Sequence, residues 1–197
     1  CTLINSFIED SSVEKKLIVG VCINFSGRIN SMEGFSYNYF FSENRPLTEI
    51  ISEQLDLPVH LENDTRAMTF GEYCEGVVDD EQNIIFVNYS WGVAIGIITE
   101  GKLYYGKSGF AGELGHIQVR ADGELCHCGK VGCLDTVTKA SYLIKRIKEL
   151  LKEGRVSQLA NKNIDQIDIE MVIEVANRGD GLAIDLLHDI GKFWHEE

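Results

Sequence analysis

Short apolar runs and helically spaced apolar residues alternate along the first half of the chain. A run of β-branched and apolar residues from Lys16 to Phe25 predicts a buried central strand. Proline is favoured in a first helical turn, so Pro46 to about Leu55 is predicted to be a helix. Val59-His60-Leu61 predicts a short strand, and Asp64 or Thr65 is the expected cap of the next helix. That helix is expected to bury the face that carries Ala67, Met68, Phe70, Gly71 and Cys74.

The second half of the chain continues the strand pattern and then becomes helical. Asn83 to Tyr89 and Val93 to Thr99 predict two adjacent strands, followed by a turn at Glu100-Gly101. Thr136 to Gly154 predicts one long helix, because its apolar residues recur at helical spacing and glycine is a favoured helix end. Strands that alternate with helices indicate an α/β fold. The remaining predicted elements are the end of a helix over residues 2–9, an extended segment from Phe35 to Phe41, and helices over Ile169 to Ala176 and Leu182 to Trp194.

One imidazole and three thiols lie within a short stretch of the chain. His116 is followed by Cys126, Cys128 and Cys133, which together offer the sulfur and nitrogen donors that suit tetrahedral Zn²⁺. Four protein ligands leave no open position for an activated water, so the spacing predicts a structural zinc site. The alternative is that the three cysteines are ordinary buried or paired thiols. His127 competes with His116 as a ligand, but its place between two ligand cysteines favours a solvent-facing role.

Composition and charge narrow the class of protein. The 197 residues include 44% hydrophobic and 25% charged positions, which is ordinary for a globular protein of one or two domains. A formal net charge of −13 argues against direct contact with nucleic acid, because phosphate binding depends on clustered basic side chains. No stretch approaches the roughly 18 apolar residues of a membrane span, and the first residues lack the basic start of a signal peptide. The cysteines outside the zinc set are expected to be reduced thiols of a cytoplasmic protein.

Polar side chains collect at the ends of the predicted elements. Glu62-Asn63-Asp64 lies where a strand meets a helix, Glu113 precedes His116, and Asp135 follows the last thiol. Carboxylates, an amide and an imidazole supply fixed donors and acceptors that match a ring of sugar hydroxyls. Zinc on one nitrogen of His116 would aim the other nitrogen at such a ligand. Taken singly, Asp64 and Asp135 also fit a solvated helix cap or a surface carboxylate.

These motifs resemble those of the ROK family, which contains bacterial sugar kinases and sugar-responsive transcriptional repressors. The family hallmark is Glu-x-Gly-His, a spacer, and then Cys-x-Cys-Gly-x-x-Gly-Cys-x-Glu. The resemblance runs from about Val19 to the last helix, and it implies a partial actin-like ATPase or ribonuclease H-like α/β fold with a zinc-binding loop. The matching segments are Glu62-Asn63-Asp64, Glu113-Leu-Gly115-His116 and Cys126-His-Cys128-Gly129-Lys-Val-Gly132-Cys133-Leu-Asp135.

The resemblance also implies roles for individual residues. In the kinases of the family, the residue that matches Asp64 is the general base for a sugar hydroxyl. Asp135 stands where the family usually has glutamate, and its shorter carboxylate is expected to change the reach of the sugar contact. The resemblance makes Asn63, Asp64, Glu113, His116 and Asp135 the sugar-binding residues. It makes His116, Cys126, Cys128 and Cys133 the zinc ligands.

The phosphate loop of the ROK kinases separates the two branches of the family. The kinase sequence Gly-Thr-Gly-x-Gly aligns with Ser90-Trp91-Gly92-Val93-Ala94, in which bulky Trp91 replaces a small threonine. An indole in phosphate space disfavours ATP binding, whereas a core position for Trp91 would leave a working loop. The resemblance therefore favours the repressor branch. A hexose or N-acetylhexosamine kinase that uses ATP and Mg²⁺ is the alternative, and a zinc-stabilised interaction module without a ligand is the third candidate.

The expected organisation is one sugar-binding effector region over residues 1–197, as a fragment of a longer protein. The DNA-binding winged helix is expected upstream of Cys1, so DNA contact is expected only through a segment outside this chain. The expected effector is a monosaccharide or a sugar phosphate, with glucose, N-acetylglucosamine and xylose all open. The family resemblance further implies a homodimer or a tetramer.

Overall fold

The structure, a computed structural model, describes residues 1–37, 44–90 and 92–193. The chain divides into two compact units. The first unit consists of Cys1–Phe86 with Ile95–Gly112, and the second consists of Val87–Ala94 with Glu113–Glu197.

Both helices and strands occur along the described chain, which confirms the mixed α/β class predicted from the sequence. Short 3-10 turns occupy Lys15–Leu17, Leu114–His116, Gln158–Asn161 and Ile164–Gln166. The strands are β1 (Val21–Phe25), β2 (Ile29–Asn30), β3 (Phe35–Ser36), β4 (Val59–Asn63), β5 (Ile84–Tyr89), β6 (Val93–Thr99) and β7 (Lys102–Leu103). The helices are α1 (Thr2–Asp10), α2 (Leu47–Leu55), α3 (Asp64–Glu75), α4 (Leu134–Thr138), α5 (Ala140–Lys152), α6 (Ile169–Asn177) and α7 (Gly181–Lys192).

A parallel pair of strands, β1 and β4, places Asn63 at a strand end. The register runs from Val21 beside Val59 to Phe25 beside Asn63, and β2, β3 and α2 lie between the two strands in the chain. β2 and β3 form an antiparallel pair, and β5, β6 and β7 form a three-stranded sheet in that order. α3 begins directly after β4, so Asn63 and Asp64 lie at the carboxyl end of a parallel strand, where α/β proteins commonly bind ligands.

The strand predicted from Lys16 to Phe25 is shorter and less buried than expected. A 3-10 turn precedes it, and the strand begins only at Val21. Cys22 and Asn24 are exposed, so the prediction of a buried central strand is wrong. The physical reason is the sheet order, because among the described residues β4 is the one strand that pairs with β1.

Three sequence predictions reach beyond the described residues. The extended segment predicted from Phe35 to Phe41 is represented by β3, and its part after Tyr37 lies outside the described chain. Trp91 of the predicted phosphate loop also lies outside it. The last predicted helix is described as α7, and its predicted final residue, Trp194, is again outside.

α3 buries a polar face in place of the apolar face predicted for it. Thr65, Arg66 and Thr69 are buried, whereas Met68 and Phe70 are 50% and 51% exposed. The cause is the Arg66 side chain, whose guanidinium donates to buried acceptors of the first unit. Thr69 lies almost one turn later and shares that face, so Met68 and Phe70 are rotated towards solvent.

The long helix predicted from Thr136 to Gly154 is two helices, α4 and α5, separated at Lys139. Lys139 has an extended backbone with φ −66° and ψ 153°. The hydroxyls of Thr136 and Thr138 donate to backbone carbonyls of the preceding turn at 2.7 and 2.8 Å. Such bonds compete with helix continuation, which explains the break. α5 ends at Lys152, close to the predicted end.

α5, α6 and α7 pack around one apolar core in the second unit. Asp168 and Asp180 cap α6 and α7 by accepting backbone N–H groups of the first turn. The two C-terminal helices predicted from the sequence are thereby confirmed. In the part of the chain that the structure describes, none of the helices has the length and apolar character needed to cross a membrane. The core consists of Leu143, Ile147, Leu159, Ile167, Val172, Val175, Leu182, Ala183 and Ile190.

Candidate functional site

The four predicted metal ligands converge in the second unit. One ring nitrogen of His116 and the Sγ atoms of Cys126, Cys128 and Cys133 all lie within 4.8 Å of one another. His116 Nδ1 is 3.6 Å from Cys126 Sγ, and the Sγ atoms of Cys128 and Cys133 are 3.6 Å apart. Cys126 and Cys133 are buried. A single ion can therefore contact all four donor atoms.

The spacing of these donors fits zinc better than a disulfide. Zn–S bonds of about 2.3 Å place two tetrahedral thiolates about 3.8 Å apart, close to the separation in the cluster. A disulfide needs sulfur atoms about 2.0 Å apart. Three sulfurs and an imidazole nitrogen are also the donors that zinc prefers. These four residues would hold the ion, and the ion would brace the loop that carries them.

Burial and neighbouring groups shift the pKa values of the three thiols in different directions. Burial raises the pKa of Cys133 to about 12, and the neighbouring sulfurs of Cys128 and Cys126 add to the increase. Burial is likewise the main cause that raises the pKa of Cys126. Burial opposes ionisation of Cys128 too, but hydrogen bonds led by the Lys130 N–H lower its pKa overall. A divalent cation would favour the thiolate form of all three residues.

Backbone hydrogen bonds and two glycines shape the loop between the thiols. The Cys126 N–H donates to the Lys130 carbonyl at 2.7 Å, and the Gly129 N–H donates to the Cys126 carbonyl at 2.9 Å. Gly129 and Gly132 have φ angles of +89° and +70°, in the left-handed region that favours glycine. A Cβ atom on Gly132 would lie 1.6 Å from the Arg120 carbonyl oxygen. Gly132 is therefore required on steric grounds as well.

The His116 ring connects the thiol cluster to a carboxylate. Its Nδ1 faces Cys126, and its Nε2 lies 3.6 Å from Oε2 of Glu113. The 3-10 turn Leu114–His116 brings these two side chains together. A metal on Nδ1 would leave the proton on Nε2 and direct it towards the Glu113 side. A sugar contact from His116 stays a prediction.

His127 is exposed, as the sequence predicts, yet it lies beside the metal ligands. Its Nδ1 is 3.8 Å from Cys126 Sγ, and its ring centre is 5.0 Å from that of His116. With Cys126 and Asp135 it forms a second group of candidate metal-binding atoms among the described residues. That group has three members and shares Cys126, so the set that contains His116 is the more complete one.

Asp135 is hydrogen-bonded to the segment from Ser90 to Ala94, which aligns with a kinase phosphate loop. It is 6% exposed and lies in the first turn of α4. Its Oδ1 accepts the Val93 N–H at 3.0 Å, and a Cβ atom on Gly92 would lie 2.9 Å from the same oxygen. Asp135 thus has a structural partner that the sequence did not indicate. Its contact with a sugar stays a prediction.

Asn63 and Asp64 are held at the start of α3 in the first unit. Asn63 Oδ1 accepts the Arg66 N–H at 3.0 Å, which makes Asn63 the helix cap. The predicted cap, Asp64 or Thr65, is therefore wrong, because the extended conformation of β4 continues through Asn63. Asp64 Oδ2 accepts the Ser26 hydroxyl at 2.5 Å, and its Oδ1 accepts the Thr65 N–H at 2.7 Å.

A buried polar cluster beside Asn63 was missed by the sequence analysis. Arg66 Nε and the Tyr105 hydroxyl donate to the two oxygens of Glu62 at 2.7 and 3.0 Å. Burial by itself would raise the pKa of Glu62, but hydrogen bonds from Ser31, Arg66 and the Asn63 N–H outweigh it and hold the pKa below its ordinary value. The sequence offered only the opposite charges of Glu62 and Arg66, because Glu62 lies in β4 and Arg66 in α3, so helical i,i+4 spacing does not link them.

The predicted sugar-binding residues are distributed over both units. Asn63 and Asp64 lie side by side in the first unit. Glu113 and His116 are neighbours in the second unit, which also contains Asp135.

The sequence of this chain is similar to those of several known proteins. A family model described as "ROK family" matches residues 2–194. The N-acetylglucosamine repressor of Escherichia coli O6:H1 is 29% identical over 191 residues, which cover 96% of this chain and 46% of the repressor. The glucokinase of Halalkalibacterium halodurans is 31% identical over 185 residues, which cover 91% of this chain and 56% of the glucokinase.

A solved structure shows the same relationship. It is the crystal structure of a ROK family transcriptional regulator, a homolog of the E. coli MLC protein, with a TM-score of 0.81 and 29% identity. The similarity covers 98% of this chain and 48% of that chain. The chain therefore spans about half the length of the repressor and of the regulator.

Proposed function

Because the chain belongs to the ROK family, we propose that it is the sugar-binding effector region of a ROK-type transcriptional repressor. The proposed effector is a monosaccharide or a sugar phosphate. The repressor relatives support this choice, since the N-acetylglucosamine repressor matches 96% of the chain. The segment from Ser90 to Ala94 supports it too, because its sequence departs from the glycine-rich phosphate loop of the kinases.

The observation that carries the proposal is the placement of the His116 ring. Nδ1 faces the thiols and Nε2 faces Glu113, so a hydrogen-bond donor and a carboxylate acceptor lie side by side. Neighbouring sugar hydroxyls need such a pair, because each hydroxyl both donates and accepts. A zinc ion bound by His116 and the three cysteines would be structural, and it would keep the ring in this orientation.

The sugar contacts are proposed residue by residue. In the first unit, the Asp64 carboxylate would accept a hydroxyl proton and the Asn63 amide would support it. In the second unit, the contacts are assigned to Glu113, His116 and Asp135. The buried cluster behind Asn63 and the Ser26 bond to Asp64 support this assignment, because both hold the side chains in place before a ligand arrives.

Operator binding is assigned to a segment outside these 197 residues. The net charge of −13 repels phosphate, so the described region is unsuited to contact DNA itself. A sugar changes operator affinity only if it binds one arrangement of the protein more tightly than another. We place such a protein in the cytoplasm as a homodimer or tetramer.

Calorimetric titration tests the sugar site directly. Glucose, N-acetylglucosamine and xylose are titrated into wild type, Asp64→Ala and the control Asp80→Ala, which alters an exposed carboxylate. We expect one sugar to bind wild type and the control equally and to lose its binding heat with Asp64→Ala. Equal heats from wild type and Asp64→Ala would remove the proposed site.

A sugar kinase is the second candidate, and the 31% identity to a glucokinase favours it. Asp64 would then act as the general base, and ATP with Mg²⁺ would be required. A coupled assay of ADP release on the natural protein decides between the two functions. Turnover that disappears with Asp64→Asn would establish the kinase, whereas sugar binding without turnover would support the repressor.

A further inference from the structure

A fully satisfied carboxylate lies behind Asn63 in the first unit. Glu62 is 5% exposed. Its Oε1 accepts hydrogen bonds from Ser31 Oγ, Arg66 Nε and the Asn63 N–H, each at 2.7 Å. Its Oε2 accepts the Tyr105 hydroxyl at 3.0 Å. An ionised carboxylate has about four lone-pair sites, so these donors fix the orientation of the group.

Arg66 of α3 belongs to the same cluster through its guanidinium. It is 3% exposed, and its two terminal nitrogens donate to the carbonyls of Gly109 and Ile29, both at 2.9 Å. Its Cζ lies 5.2 Å from the centre of the Tyr105 ring, which adds a cation–π contact. A buried charge with this many partners is held rigidly, because each lost partner leaves part of it unpaired.

Hydrogen bonds and adjacent positions in the chain link this cluster to Asn63 and Asp64, the proposed sugar contacts. The Asn63 N–H is held by Glu62, and Asn63 Nδ2 donates to the Gly27 carbonyl at 3.0 Å. Asp64 is the next residue in the chain, and its Oδ1 accepts the Thr65 N–H at 2.7 Å. The Thr65 amide therefore reports on the position of the Asp64 carboxylate.

We propose that Arg66 and Tyr105 are positioning residues for Asn63 and Asp64, and that they act through the shared Glu62 carboxylate. The inference rests on the proposed function, because Asn63 and Asp64 are sugar contacts only within it. Arg66 and Tyr105 themselves need not touch the ligand. They are expected to raise sugar affinity, because a site that is ordered before binding loses less conformational entropy when the sugar binds.

Tyr105→Phe is the variant that tests the proposal with least damage to the fold. It removes one hydroxyl and leaves the aromatic ring under Arg66, whereas Arg66→Ala would leave the Glu62 charge buried and unpaired. Tyr104→Phe is the matched control, because Tyr104 is 49% exposed and lies outside the Glu62 cluster. Amide hydrogen exchange in the sugar-free protein and calorimetry with glucose, N-acetylglucosamine and xylose are the two measurements.

In Tyr105→Phe, we expect exchange at the Asn63 and Thr65 amides to become roughly ten-fold faster, and sugar binding to become about three- to ten-fold weaker. Tyr104→Phe is expected to leave both unchanged. Unaltered exchange at Asn63 and Thr65 in Tyr105→Phe would overturn the positioning role. A wild-type protein that binds none of the sugars would instead count against the proposed function, and the exchange rates would still decide the role of the cluster.

Discussion

Two glycines of the metal loop provide a matched test of how the fold holds the thiol cluster. Gly129 and Gly132 both have positive φ angles, +89° and +70°. They differ in what an added methyl group meets. A Cβ on Gly129 has no neighbouring atom within 4 Å, whereas a Cβ on Gly132 would lie 1.6 Å from the Arg120 carbonyl oxygen. Alanine at each position therefore separates backbone strain from steric collision.

The expected losses of stability follow from this difference. Gly129→Ala carries only the strain of a left-handed alanine, which is about 1 kcal/mol. Gly132→Ala carries the same strain and also forces the Arg120 backbone away. That movement disturbs the hydrogen bonds from the Val119 and Arg120 N–H groups to the Gly132 carbonyl, at 2.8 and 3.1 Å. Overpacking and weakened hydrogen bonds raise the total to about 3–5 kcal/mol.

Urea unfolding followed by circular dichroism measures the loss, and elemental analysis measures bound zinc. We expect Gly129→Ala to keep its metal and Gly132→Ala to lose it, because Cys133 is the next residue and moves with the displaced backbone. Similar losses of stability from the two variants, or full zinc retention in Gly132→Ala, would refute the steric explanation.

Asp180→Ala is expected to lower the free energy of unfolding by about 2 kcal/mol, because the carboxylate caps α7. Burial raises the pKa of Asp180, but backbone N–H donors outweigh it and hold the pKa below its ordinary value. The stabilisation is therefore complete above about pH 4 and disappears as the pH falls through the lowered pKa, which urea unfolding of both proteins at several pH values would show. Glu62→Gln and Arg66→Met are each expected to lower the free energy of unfolding by about 3–5 kcal/mol. The double variant is expected to lose less than the sum of the two single losses, so additive losses would contradict a buried ion pair. Cys133→Ser is expected to abolish zinc binding and any zinc-dependent rise in Tm, so a variant that still binds one zinc per chain would contradict the ligand assignment.

Local sequence was sufficient for the metal loop and for most element types. The ligands from His116 to Cys133 lie close together along the chain, so their convergence needs only a tight loop with glycines at positions of positive φ. The β4–α3 junction was visible for the same reason, since a strand signal ends directly before a helical one. The break at Lys139 could not be predicted from the sequence, because it depends on threonine hydroxyls that donate to backbone carbonyls instead of to water.

By itself, the sequence determined the donor set of the cluster, the α/β class and the place where polar residues follow a strand. Tertiary structure decided which side chains of α3 face inwards and how Asp135 is used. Arg66 bonds to Gly109 and Asp135 bonds to Val93 across separations of 43 and 42 residues. Helical periodicity assigns polar residues to the solvent-facing side of a helix, so it places Arg66 on the exposed face of α3. Only the folded chain supplies the buried carboxylate and carbonyls that make an inward arginine favourable.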